Sequence, residues 1–390
     1  MPNSGMDQET YELFLETLKR FTKERLVPAE KEVIEANQIS EALLEEMRSL
    51  GLFGLNIAEK YGGAGMNASQ YFKAVTELSW ASPAFRTISS IGSGIVNSAL
   101  SNHGTEQQKQ QWLPAIAKGS VAAFALTEPD SGSDSAALRT SAVKESDGYV
   151  LNGVKRYITN APFAEVILIM ARTATEKLPK NAHISAFLVP ADTPGITIGK
   201  PDKKMGQEGA QIADVILENV RIPKSALLGD QEGVGFQVAM SSLNGGRLSV
   251  AAASLGYSKR ALDSAIRYGL ERKAFGEAIT SFQLTQAKIA DSQADIYAIE
   301  CMLIDAAKKL DDGVDIRLES ASLKMFASEA CGRIVDRVVQ IYGGAGYLRE
   351  YDAERFYRDS RIFRIFEGTT EIMQLVIAKN VLREYEKAIS

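Results

Sequence analysis

The chain has only two histidines, His103 and His183, 80 positions apart and outside any CxxC or HxxxH setting. A histidine-based triad and a zinc site are therefore not expected, and no metal is. Cysteine is equally scarce. Cys301 and Cys331 lie in alanine-rich, helical-looking surroundings, which argues against a disulfide framework. No apolar run reaches the roughly 20 residues needed to span a bilayer. Basic residues are not in excess, with 44 Lys and Arg against 49 Asp and Glu, so a nucleic-acid partner is not expected. The start, MPNSGMDQETYELF, is neither a signal peptide nor an Arg-rich transit peptide, and the expected location is cytoplasmic. What remains for chemistry is carboxylates or a cofactor.

What is present is a chain of 390 residues, 45% hydrophobic and 24% charged, long enough for two or three domains. Its character changes twice. Residues 1–119 read as helical: Leu13, Phe14, Leu18 and Phe21, then Leu43, Leu44, Met47 and Leu50, follow helical spacing. Residues 120–228 carry short β-branched runs bounded by Gly, Pro and Asn, namely GYVLNGVKRYITN (148–160), AEVILIMAR (164–172), ISAFLVP (184–190) and ADVILENVRIP (213–223). Residues 229–390 return to alanine- and leucine-rich helical stretches, from about 234 to 312, from 316 to 342, and after Gly368. The expected fold is α+β: an N-terminal helical domain, a middle β-barrel or sheet domain, and a C-terminal four-helix bundle.

One carboxylate stands out. In RIFRIFEGTTEIM (361–373) the apolar Ile362, Phe363, Ile365 and Phe366 deliver Glu367 directly into Gly-Thr-Thr. Apolar flanks desolvate an acid and raise its pKa, a feature of no use to a surface residue. The bland reading is a helix-capping glutamate. FALTEPDSGSD (124–134) offers a glycine and small hydroxyls that let backbone amides approach a ligand, although alone it reads equally well as a capped turn. KRYITN (155–160), LNGGRLSV (243–250), ERKAFG (271–276), FQLTQ (282–286) and QIYGGAGY (340–347) follow in order.

Together these motifs resemble the acyl-CoA dehydrogenase family over nearly the whole chain. The resemblance implies an FAD enzyme that oxidises an acyl-CoA thioester to the trans-2-enoyl-CoA. It passes electrons to an electron-transferring flavoprotein and assembles as a homotetramer or a dimer. It places Glu367 as the base that takes the α-proton. Flavin contacts are implied for Phe124, Leu126, Thr127, Gly132 and Ser133, and for Tyr157, Ile158 and Thr159, with Tyr157 standing where many members have Trp. Arg272, Phe275 and Gln283 are implied to reach the FAD pyrophosphate of a neighbouring subunit. Gln340, Ile341, Gly343 and Gly344 are implied for the adenosine-side loop, and Thr369 and Glu371, after the base, are implied to touch the cofactor. Substrate contacts are implied for Ser133, Asn244, Arg247 and Gly368. Arg86, in SPAFRTISSIGSG (82–94), stands where glutaryl-CoA dehydrogenases pair an arginine with the distal carboxylate of the acyl chain. The alternative for Arg86 is an internal salt bridge with an acid such as Glu77. The resemblance leaves open an acyl group on a carrier protein, direct use of O₂, and a non-catalytic scaffold of the same fold.

Overall fold

Asp7 opens the first helix by accepting a hydrogen bond from the Thr10 amide at 3.0 Å, so that Tyr11, Leu18 and Phe21 fall on one buried face. In this computed structural model, which describes residues 4–174 and 180–389, six further helices follow. The N-terminal set is α1 (Gln8–Phe21), α2 (Val27–Ala36), α3 (Glu41–Ser49), α4 (Ala68–Leu78), α5 (Pro83–Ser90), α6 (Asn97–His103) and α7 (Glu106–Ala117). Asn67 caps α4, and Thr105 with Gln108 forms a reciprocal capping box on α7.

The middle region is a curled sheet of seven strands: β1 (Ala122–Ala125), β2 (Ser141–Lys144), β3 (Gly148–Thr159), β4 (Val166–Arg172), β5 (Ile184–Pro190), β6 (Ile196–Ile198) and β7 (Ile212–Pro223). Their order is β1-β4-β2-β3-β7-β6, with β5 paired to β4. The four long runs read from the sequence become β3, β4, β5 and β7. The short strands β1, β2 and β6 carry too little alternation to be found that way. Between Lys155 and Ile158 the β3–β7 register slips, and the bulge puts Tyr157 at φ 58°. A bulge of this kind re-aims a side chain, and Tyr157 ends 56% exposed.

The C-terminal region holds α8 (Gly235–Glu271), α9 (Gln283–Asp311), α10 (Arg317–Tyr342), α11 (Asp352–Ser360) and α12 (Thr370–Ile389). The helical stretch expected from 234 to 312 is broken at Arg272–Phe282 by a small hairpin. Phe275 and Gly276 at its tip take positive φ values of 53° and 88°, which a helix cannot accommodate. Helix α8 is rich in Ala, Gly and Ser and is buried on most of its circumference, so it can touch α4, α9 and α10 at once.

One hydrophobic core runs through both helical regions, from Leu18 and Phe72 across Tyr257 to Phe356 and Phe363. Buried charge ties the same parts together. Arg260 of α8 and Arg355 of α11 both bind Glu30 of α2, whose Oε1 also accepts the Ser82 amide at 2.7 Å. The loop at 204–208 is fastened to α11 by Arg358, which donates to the Met205 carbonyl and to Glu208 at 2.9 and 2.8 Å. The three regions therefore hold a fixed relation around whatever lies between them. No helix among the described residues is long and apolar enough to cross a membrane.

Candidate active site

Between the sheet and the C-terminal helices lies a cavity of about 610 Å³. One wall comes from the middle region: Thr127, Gly132 and Ser133 from the loop after β1, and Tyr157 and Thr159 from the end of β3. The opposite wall is the turn before α12, with Phe366, Glu367, Gly368 and Thr369. Both were legible as motifs. The rim is completed by Ile362 and by the loop Lys204–Gln207, Arg358, Asp359 and Arg361, of which sequence reading missed all but Ile362. The cluster KMGQEGA (204–210) was their available signal. Gly206 packs so tightly that a Cβ there would stand 2.7 Å from Asp359 Oδ1.

A buried ion pair fixes the first wall. Lys155, fully buried on β3, donates to Glu128 Oε1 at 2.7 Å and to the Leu126 carbonyl at 3.1 Å. Glu128 also accepts the Arg139 and Thr140 amides, so all parts of the loop 126–140 refer to one side chain. The Arg156 amide donates to the Thr127 carbonyl at 2.8 Å, registering the loop against the bulge. Burial pushes the Lys155 ammonium down to about 8, against the pull of Glu128.

Glu367 is the centre of the other wall. Its φ is 55° and that of Gly368 is 102°, two successive left-handed residues that reverse the chain and aim the carboxylate into the cavity. It does not cap α12. Thr369 does, its Oγ1 accepting the Ile372 amide at 3.3 Å. Glu367 Oε2 is shut off from solvent and, among the described residues, makes no hydrogen bond. Burial raises its pKa above the carboxylate range, while the charges of Arg86, Lys324 and Arg247 oppose the rise. A desolvated carboxylate with a free oxygen is equipped to accept a proton from something in the cavity.

Helix α8 makes room for it. Gly246 faces the carboxylate, and a Cβ there would lie 2.2 Å from Glu367 Oε2. Gly246→Ala must displace the carboxylate. The expected result is at least about a tenfold fall in the rate of the reaction at Glu367, with cofactor content and melting temperature close to the unmutated protein. An unchanged rate would mean that the carboxylate position is not critical.

Arg247 Nε donates to the Glu367 carbonyl at 3.4 Å and Nη1 to Asn244 Oδ1 at 3.0 Å. Arg86, 4% exposed on α5, donates from Nε and Nη2 to Ser249 Oγ at 3.2 and 2.8 Å. Among the described residues no carboxylate lies within 4 Å of it. The alternative pairing with Glu77 is overturned, since Glu77 sits with Lys73 and Lys19 at 3.5 and 3.9 Å. The carboxylate whose charge Arg86 feels is Glu367.

Arg86, Asn244 and Arg247 stand behind Glu367 and not on the cavity wall, and the remaining expected residues do not line it either. Leu126 and Ile158 are in the hydrophobic core, and Phe124 packs against it. Arg272, Phe275 and Gln283 are exposed around the hairpin after α8. The same end of the bundle carries Gln340, Ile341, Gly343 and Gly344, where Tyr268 stacks on Tyr342 with centroids 4.1 Å apart. Glu371 is an exposed acid in the first turn of α12.

A wall of small hydroxyls facing a desolvated carboxylate, between a sheet and a helical bundle, is the arrangement of an acyl-CoA dehydrogenase, and the family models agree. The acyl-CoA dehydrogenase N-terminal domain matches residues 8–120, the middle domain 123–220 and the C-terminal domain 233–382. This chain belongs to the acyl-CoA dehydrogenase family, a family of oxidoreductases. It is 40% identical to the probable acyl-CoA dehydrogenase YngJ of Bacillus subtilis (strain 168), over 94% of this chain and 97% of the relative. It is 39% identical to the mitochondrial short-chain specific acyl-CoA dehydrogenase of Homo sapiens, covering 97% and 91%. The structure of butyryl-CoA dehydrogenase from Megasphaera elsdenii superposes with a TM-score of 0.92 at 34% identity, covering 97% of this chain and 100% of that one.

The family's cofactor is FAD, and the cavity fits a flavin. Its wall presents the hydroxyls of Thr127, Ser133 and Thr159. Gly132 leaves open space, with nothing within 4 Å of where a Cβ would be.

Proposed function

We propose that this protein removes the α-proton and β-hydride of a short- or medium-chain acyl-CoA, giving the trans-2-enoyl-CoA. The observation that carries this reading is the desolvated carboxylate of Glu367 on the wall of the cavity, its Oε2 without a hydrogen-bond partner among the described residues. Glu367 takes the α-proton. Arg247 and Asn244 beside it bind the thioester's CoA portion, and Gly368 keeps the backbone slim there. Thr127, Ser133, Tyr157 and Thr159 hold the flavin ring, which supplies a two-electron acceptor for the hydride. An electron-transferring flavoprotein is the proposed onward acceptor. Because the pKa of Glu367 is raised, the rate should fall as pH drops through a value above the usual carboxylate range. Anaerobic mixing with a panel of acyl-CoAs tests the whole reading. Bleaching of the flavin band by saturated C4 to C8 acyl-CoAs is expected, and no bleaching by any thioester would refute it.

A second reading concerns the acyl tail. Arg86 is a buried guanidinium whose only hydrogen-bond partner among the described residues is one serine hydroxyl. That favours a substrate with a distal carboxylate, because a buried cation needs an anion.

For assembly, we propose a homotetramer in which Arg272 and Gln283 reach the FAD of a neighbouring subunit. The support is exposed apolar surface at the hairpin and on α12: Phe275 at the hairpin tip is 97% exposed, and the exposed Leu375, Leu382 and Ile389 repeat every seven residues on α12. Arg272→Ala should weaken FAD retention and subunit association together, read by flavin content and light scattering, since ligand and subunit binding are linked. A stable monomer of the unmutated protein with full FAD occupancy would overturn this.

A further inference from the structure

Among the described residues two lysines are completely buried, and only one of them has an acid beside it. Lys155 pairs with Glu128. Lys324, on α10, instead donates from Nζ to the backbone carbonyl of Gly368 at 2.6 Å, and no carboxylate among the described residues lies within 4 Å of it. Burying an ammonium against a neutral carbonyl is costly, so its place needs a reason.

The reason lies in the turn it holds. Glu367 and Gly368 are both left-handed, at φ 55° and 102°, and the reversal leaves their two successive carbonyls without helical partners. Each is met by a cation from a different helix. Arg247 of α8 reaches the Glu367 carbonyl at 3.4 Å, and Lys324 of α10 reaches that of Gly368. One turn further along α10, Glu329 accepts from Thr370 Oγ1 at 2.7 Å, so α10 grips both ends of the turn. We propose that Lys324 is a positioning residue for the proton acceptor. Its ammonium locks the 367–368 turn so that the carboxylate faces the cavity, and its charge keeps that carboxylate ionised in a desolvated place.

The charge balance around the site agrees with this. Glu367 is faced by Arg86 from α5, Arg247 from α8 and Lys324 from α10, with the neutral Tyr71 of α4 beside Arg86. Lys324 in turn feels Glu367, Arg247, Glu329 and Glu371, and burial draws its own pKa down to about 8. Above that value the clamp loses its charge. The proposal rests on Glu367 being the proton acceptor, but the locking of the turn can be observed without turnover.

Two substitutions in the FAD-loaded protein separate lock from charge. Lys324→Gln keeps a hydrogen-bond donor without the charge, and Lys324→Met keeps neither. Anaerobic flavin reduction is followed from pH 5 to 9, with amide hydrogen exchange across residues 365–373. In both variants the acid limb of the rate profile should move upward, giving roughly a tenfold lower rate at pH 6 than the unmutated protein and a smaller loss at pH 8. Exchange in the turn should rise by about tenfold in Lys324→Met and much less in Lys324→Gln. A loss of rate that is equal at every pH, with unchanged exchange in the turn, would make Lys324 a packing residue and overturn the proposal. If Lys324→Met fails to fold, the pH profile of Lys324→Gln decides the charge alone. If the unmutated protein reduces its flavin with no thioester, the assigned reaction fails, and the exchange measurement still decides the lock.

Discussion

Glu367→Gln is expected to bind FAD, fold normally and lose flavin reduction by about 10⁴-fold. The change is close to isosteric, so the left-handed turn and its contacts to Arg247 and Lys324 can persist. What it removes is the free lone pair on Oε2, the atom that makes no hydrogen bond among the described residues. An amide does not accept a proton at neutral pH, and among the described residues no other carboxylate on the cavity wall can replace it. Asp359 also lines the cavity, but its oxygens are engaged by the Gln207 amide and by the Tyr257 hydroxyl at 2.7 Å. Its burial is structural, since it fastens the loop at 206–207 to the helical region. The measurement is the rate of anaerobic bleaching at saturating acyl-CoA. Near-normal bleaching in Glu367→Gln would place the proton acceptor elsewhere.

Glu367 was legible because its chemistry is written locally: apolar residues before it, a glycine after it, and a helix beyond. The hydroxyl wall was legible for a similar reason, as Thr127, Ser133 and Thr159 sit in turns with a marked composition. The third wall was not. Lys204 to Gln207 offered only the glycine-bearing cluster KMGQEGA and Arg358 to Arg361 no chemical signature, and they reach the cavity only because Arg358 and Asp359 clamp two regions some 150 residues apart. Lys324 was invisible for the same reason. In the sequence it is one lysine in an alanine-rich helix, and only the packing of α10 against the turn before α12 buries it. The fold divides likewise. Long strands and helix faces follow from periodicity, whereas the short β1 and the bulge that turns out Tyr157 depend on pairing with β4 and β7. Residue type alone could not decide the partner of Arg86, since Glu77 was as good a candidate by chemistry and is excluded only by position.

Arg86 is the residue on which the substrate turns. It is buried close enough to Glu367 to feel its charge, with Ser249 as its hydrogen-bond acceptor and Tyr71, whose hydroxyl lies 3.4 Å from Ser93 Oγ, beside it. Ser90 Oγ, on the same short helix, is buried without a partner among the described residues. An apolar acyl tail would leave the guanidinium's charge without a counter-ion, whereas a carboxylate would supply one. Arg86→Met removes the guanidinium and keeps most of its bulk. If Arg86 takes a distal carboxylate, kcat/KM for a dicarboxylyl-CoA should fall by about 2–5 kcal/mol, roughly 30- to several-thousand-fold. For a neutral acyl-CoA of equal length the loss should be small, or reversed. The competing role is also specific. Arg86 is one of three cations holding the pKa of Glu367 down, so its loss raises that pKa and slows every substrate alike as pH falls. Equal losses on the two thioesters, growing toward acid pH, would assign Arg86 to the proton acceptor and leave a plain acyl chain as the substrate.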